Sequence, residues 1–366
     1  MYSLPIEAKL DVLKCLNFNQ LTSFKLTNFY FLNLINKYEG ELCFRMKFKK
    51  LSIVNIKRNI GNCSEIMKVN YQELDSYRII EPKPGFVKYI LDDKRKKWKA
   101  PIVPTHRSFP LLLFDIFSEN DGNSLNSVVC IERTSDDYLL DNGPRYYILK
   151  LPIFPRSFEQ LAIIRYCLGQ LFTNSVFEYA LFDKILFNPE LINLLFNDNK
   201  TISPKFHIQK PNLFPSGTVS IDYIWKFVSK HLTISDCLTI DLDNNFGIYS
   251  IDPKLFDIIT MRGYGLPKIL LRNLTCKRLY CEIIKHITKS EDCSQMVANI
   301  SLQFSWPLIF QLSESAENVE IKQLNGVKYT KYQLANIHNP KVRFSICNEE
   351  GEDGWILNVK IRRMKE

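Results

Sequence analysis

The sequence predicts an α+β chain with an amino-terminal unit of three short helices over residues 1–40. A linker over 41–65 leads to a mixed α/β region, an antiparallel meander over 66–155 followed by irregular helix–strand repeats over 156–366. Three observations predict it. The first forty residues place apolar side chains at helical spacing. From about Glu65 to Pro155, short β-prone runs alternate with Pro, Gly, Asn and Asp. Beyond Pro155, helical and strand periods take turns. With 46% apolar residues in a chain of 366, there is material for a sizeable core and wholesale disorder is excluded.

The first helix is expected from Pro5 to Cys15, with Pro5 opening it and Glu7 placed to suit the helix dipole. Asn19 is a candidate cap for a second helix through about Leu26, and a third is expected from Asn28 to Tyr38. Apolar positions in this unit exceed what three short helices can turn inward, and a unit below about 40 residues seldom builds a self-sufficient core. The surplus must meet the rest of the chain or another protein. Residues Glu41 to Ile56 alternate apolar and basic side chains and read as a linker helix or a first strand.

Strands are expected at Phe86–Leu91, Pro110–Phe117, Ser127–Arg133 and Arg145–Leu151, with a turn at Asp141-Asn142-Gly143-Pro144. After Pro155, the pattern is helical over Glu159–Phe172. Three helix–strand units follow: Asp222–His231 into Leu238–Leu242, Lys254–Met261 into Lys268–Leu271, and Arg278–Thr288 into Val297–Phe304. Their rhythm suggests parallel strands with crossover helices or an irregular solenoid, without a consensus repeat. Strands at Val342–Cys347 and Trp355–Ile361 close the chain.

Composition narrows function. Ten cysteines lack any Cys-x-x-Cys pair, which reads as reduced, mostly buried thiols in a cytoplasmic or nuclear protein. No apolar run is long enough to span a bilayer, and no secretory signal is visible at the amino terminus. The net charge of +9 is a mild excess for this length. The five histidines form no metal-binding spacing; Cys281 and His286 share a predicted helix but lack further ligands. Neither a Gly-x-Ser-x-Gly elbow nor a phosphate loop occurs, and Gly263-Tyr264-Gly265 fails the dinucleotide fingerprint at its third glycine. No catalytic residue, metal or cofactor is expected.

Leu4-Pro5-Ile6-Glu7, followed by Leu10, Val12, Leu13 and Leu16, then Leu21, and then Leu26-Thr27-Asn28-Phe29-Tyr30, resembles an F-box. Thr27 and Phe29 depart from that family's common thiol and basic residues. The chain as a whole is similar in style to divergent F-box proteins expanded in nematodes. The resemblance implies a subunit of an SCF-type ubiquitin ligase. Its F-box would bind a Skp-family adaptor, and through it a cullin, while the carboxy-terminal region holds an unknown protein substrate. The docking anchors implied are Leu4, Pro5, Ile6, Leu13, Leu16 and Leu21, with Phe24, Leu26, Tyr30 and Leu34 holding the helices together. No membrane and no nucleic acid enter this reading.

A second reading rests on Lys94, Arg95, Lys96 and Lys97, followed by Trp98 and Lys99. This run resembles a nuclear-import signal, and with the basic carboxy-terminal strand it would suit a nucleic-acid- or chromatin-associated protein. Its plainer reading is a solvated hairpin turn.

Overall fold

The computed structural model describes residues 4–16, 20, 24, 27–38, 45–55, 77–80, 110–114, 127–135, 143–196, 204–215, 221–242, 248–261, 263, 265–309 and 312–364. Among these residues, two short helices come first, α1 (Ile6–Lys14) and α2 (Phe29–Lys37). Strands β1 (Met46–Asn55), β2 (Tyr77–Ile80), β3 (Leu112–Phe114), β4 (Ser127–Arg133) and β5 (Tyr146–Leu149) follow. Next come α3 (Phe158–Asn174), β6 (Ser175–Asp183), β7 (Ile185–Phe187), α4 (Pro189–Phe196) and β8 (Phe206–Phe214). The crossover series continues with α5 (Ile221–His231), β9 (Leu232–Ile234), β10 (Leu238–Asp241), α6 (Ile248–Thr260), β11 (Ile269–Leu274), α7 (Arg278–Lys289) and β12 (Asn299–Leu308). Strands β13 (Glu317–Leu324), β14 (Val327–Ala335), β15 (Arg343–Glu350) and β16 (Ile356–Arg363) complete the chain.

These elements overturn the expected fold class. The described residues form mostly one mixed sheet of 14 strands with seven helices, and no three-helix amino-terminal unit is seen. The meander and the repeats are not successive blocks either. Strand β1 joins them, because one of its edges pairs antiparallel with β4 and the other pairs parallel with β6. The stretch read as linker helix or strand is therefore a central strand. The sheet order is β13-β14-β15-β16-β12-β11-β10-β8-β6-β1-β4-β5-β2, with β9 beside β8; β3 and β7 form a separate ladder. Strands β4 and β5 pair antiparallel, but β2 joins β5 in parallel. The strand expected at Phe86–Leu91 and the second helix expected around Asn19–Leu26 lie largely outside the described residues.

From β1 to β12, the neighbours β1, β6, β8, β10, β11 and β12 all run parallel. Each crossover advances the sheet the same way. Right-handed crossovers stepping in one direction put every connecting helix on the same face. Helices α3 to α7 accordingly pack in series, each against the next. The strand rows on that face are apolar: Leu238, Ile269, Ile300, Ile361, Ile346 and Tyr332 stand in register and are buried. Under α3–α5 the filling is aromatic, with the Phe172 and Phe206 ring centroids 4.7 Å apart in an edge contact. Ser157 caps α3 by accepting from the Gln160 amide.

Candidate functional site: an amino-terminal apolar module and an uncovered sheet face

Pro5 precedes α1, Glu7 lies in its first turn and Lys14 in its last, an arrangement that complements the helix dipole at both ends. The Asn28 side chain caps α2 by accepting from the Phe31 amide at 3.0 Å. The two helices share a cluster of Leu10, Leu13, Phe31, Leu34 and Ile35, with Ile6, Leu16, Phe24 and Tyr38 packed at its margin. Every described member of this cluster comes from residues 6–38; the sheet contributes none. Lys9 Nζ donates to Tyr30 Oη at 2.7 Å, which ties α1 to the start of α2.

The structure separates the anchors named from sequence. Leu4 (40% exposed) and Pro5 face solvent, and Val12 (44%) is exposed on the same helix. Ile6 and Leu16 are half-buried. Leu13 is fully enclosed and holds the pair together. Among the residues assigned to packing, Phe24 and Leu34 lie in the cluster, while Tyr30 remains partly exposed. Leu21 and Leu26 lie outside the described residues, as do Lys94, Arg95, Lys96 and Lys97.

The second feature is the sheet face opposite α3–α7, uncovered in that no described element packs over it. One cross-strand row on it runs through Ser52, Leu181, Asn212, Thr239, Leu270, Ser301, Lys360, Cys347 and Lys331. It alternates small polar, apolar and cationic groups, and from Leu181 onward its side chains are half-buried or exposed. No sequence motif marked this row, because its members are scattered along the chain. Their common signal is the out-facing phase of each strand's alternation.

A step crosses this face. In β6 and β8 the buried phase shifts by one residue, from Phe177 to Ala180 and from Ile208 to Pro211, and register is kept across both strands. Between β9 and β10 the same line is met by Ser235–Cys237, whose amides donate to the Ile208 and Gln209 carbonyls. Lys210 therefore stands over the Tyr179 ring, 5.6 Å from its centroid, and pairs with Asp236 at 3.4 Å. Beside the step lies a cleft of about 470 Å³ lined by Ser235, Asp236, Lys268, Ser301, Lys360 and Arg362, among others. Lys360 is hydrogen-bonded to Glu349. Neither Lys268 nor Arg362 is paired with a carboxylate among the described residues. At the other end of β10, Asp241 accepts from Asn273 Nδ2 at 2.5 Å; Asn273 takes a left-handed conformation (φ 58°) where the β11–β12 register shifts.

The titratable groups are tuned by packing. Burial pushes the Cys130 thiol up to about 11 and the Cys167 thiol up to about 12, so both stay protonated. Burial, with Arg45 and Lys205 nearby, lowers His207 to about 4. Burial also lowers His231, which donates through Nδ1 to the Pro204 carbonyl at 2.9 Å, and His286, which meets the Phe256 ring edge-on. Cys281 is exposed and His286 half-buried on the same helix. No group of three His, Cys, Asp or Glu residues able to hold a metal occurs among the described residues. No described helix is long and apolar enough to cross a membrane.

Residues 80–243 match the family model of a domain of unknown function, DUF8381. The match runs from the end of β2 to just beyond β10 and thus takes in the step across the uncovered face. No F-box family model matches the chain. No curated protein matches it, and no solved structure does.

Proposed function

We propose that this chain is a non-enzymatic recruiting adaptor of an SCF-type ubiquitin ligase. The segment around α1 and α2 would dock on a Skp-family adaptor, and the uncovered face of the sheet would hold a protein substrate. The observation that carries the reading is the self-contained cluster of residues 6–38. It draws nothing from the sheet, yet leaves Leu4, Pro5 and Val12 at the surface. A small apolar unit attached to a large independent core is the arrangement expected of a docking element, whose energy concentrates in a few apolar anchors. The resemblance of Leu4-Pro5-Ile6-Glu7 to the opening of an F-box supports the same partner. The half-buried, mixed polar row opposite the helices supports a protein ligand over a small molecule, because it is broad and open.

The chemistry on this reading is proximity: the adaptor raises the local concentration of a target lysine beside a charged ubiquitin carrier. Co-expression with a Skp-family adaptor tests it. The two proteins should co-purify, and a Leu4→Ala/Pro5→Ala/Ile6→Ala variant should lose the complex while its sheet domain keeps its unfolding midpoint. No co-purification, or equal recovery of the triple variant, overturns the docking surface.

A further inference from the structure

We propose that β13 is the seam of a two-fold homodimer in which the sheets of two copies join edge to edge. Among the described residues, strand β13 ends the sheet order and pairs only with β14. All eight of its residues are exposed, including Val319 (43%), Ile321 (63%) and Leu324 (62%). An edge strand offers a row of unpaired N–H and C=O groups to any strand that can lie beside it, and native proteins ordinarily blunt such edges. This one exceeds the usual strand length of about five or six residues and contains no proline. Its only interruption is at the start, where the register shifts between Glu317 and Glu320 and Asn318 adopts φ 53°. From Glu320 to Leu324 the edge is regular.

The occupant is a second copy because the exposed sequence complements itself. In an antiparallel two-fold pairing centred on Ile321, Glu320 of each chain faces Lys322 of the other, and the two Ile321 side chains meet on the axis. Within one chain, Glu320 and Lys322 already stand 3.5 Å apart and both are exposed. The pairing would close a four-charge square with alternating signs. Moving the axis to Glu320 or to Lys322 instead sets like charges face to face. The hairpin that presents the edge is stiff: Asn325 and Gly326, at φ 51° and 77°, form the two-residue turn that suits a twisted antiparallel pair.

Sedimentation equilibrium of the full chain, with Glu320→Lys and the charge swap Glu320→Lys/Lys322→Glu, tests this. The wild type should be a dimer. Glu320→Lys should weaken association by at least about tenfold, and the swap should restore it, because opposite signs again face each other. Recovery in the swap also rules out misfolding as the cause of the loss. A wild type that stays monomeric to about 100 μM overturns the proposal, including the case where another protein's strand uses this edge. A dimer indifferent to Glu320→Lys, or a swap that fails to restore it, overturns it as well.

Discussion

The hydroxyls of Tyr280 and Tyr332 lie 2.8 Å apart, joining helix α7 to strand β14 inside the core. Both residues are buried, so one hydroxyl donates to the other where water is excluded, and the Asn348 side chain lies within hydrogen-bond reach of both. Burial, reinforced by the neighbouring phenol, pushes Tyr280 far above the usual phenol range. This contact couples the crossover half of the sheet to its antiparallel end. Removing one hydroxyl with Tyr332→Phe should cost about 1–2 kcal/mol in urea unfolding. The double variant with Tyr280→Phe should cost less than the sum of the singles, and additivity would show that the pair is not coupled.

Asn336 performs a related task at the end of α7. Its amide nitrogen donates to the Ile287 and Ser290 carbonyls at 2.8 Å each, and its oxygen accepts from the His338 and Asn339 amides at 2.9 Å each. The side chain is buried and fully used. Asn336→Ala should destabilise by about 2–4 kcal/mol, since orphaned buried carbonyls and amides retain their desolvation cost. Asn336→Asp, which faces an oxygen to two carbonyls, should be worse; chemical denaturation at neutral pH reads both.

The acid side of the stability curve should carry a histidine signature. The folded-state values of His207 (about 4) and His231 lie below the ordinary histidine value near 6.5. Between those values and 6.5 the unfolded chain binds more protons, so stability is complete above about pH 6.5 and falls as the pH drops toward 4. Urea midpoints from pH 7 to pH 4 should decline, and His207→Gln should flatten part of that slope.

Thiol accessibility should divide the cysteines. Cys130 and Cys167 are buried with raised values, whereas Cys15 and Cys281 are exposed. Brief iodoacetamide treatment of the native protein at pH 8, read by peptide mass spectrometry, should label Cys15 and Cys281 and spare Cys130 and Cys167. Labelling of Cys167 would show that α3 is not packed as described.

Local periodicity carried much of the element pattern and none of the pairing. Helix α3 and strand β4 stand out because one has an apolar stripe and the other a dense β-branched run. The helical reading at Lys254–Met261 covers only the later part of α6, because Pro253 looks like a break. Strands β6 and β8 give no clean local signal because the step at Glu178–Tyr179 and Gln209–Lys210 interrupts their alternation. The β13–β14 hairpin carries a local sign, Asn325-Gly326 between two runs. Nothing local says that β1 lies between β4 and β6, and that contact decides whether the chain builds two blocks or one sheet. For the same reason the uncovered face could be anticipated strand by strand, as out-facing residues, but not assembled. At the amino terminus, composition foretold apolar surplus without separating enclosed Leu13 from exposed Leu4 and Val12.

Strand β1 also sets a schedule for biosynthesis. It leaves the ribosome long before either of its neighbours, and its second partner is complete only at Asp183. At translation speeds of about 5–20 residues per second, the edge of β1 that β6 will cover stays bare for roughly 6–25 s, well past the point at which β4 becomes available to cover the other. Nascent chains stalled before Asp183 should therefore engage chaperones, and release from them should coincide with the emergence of β6.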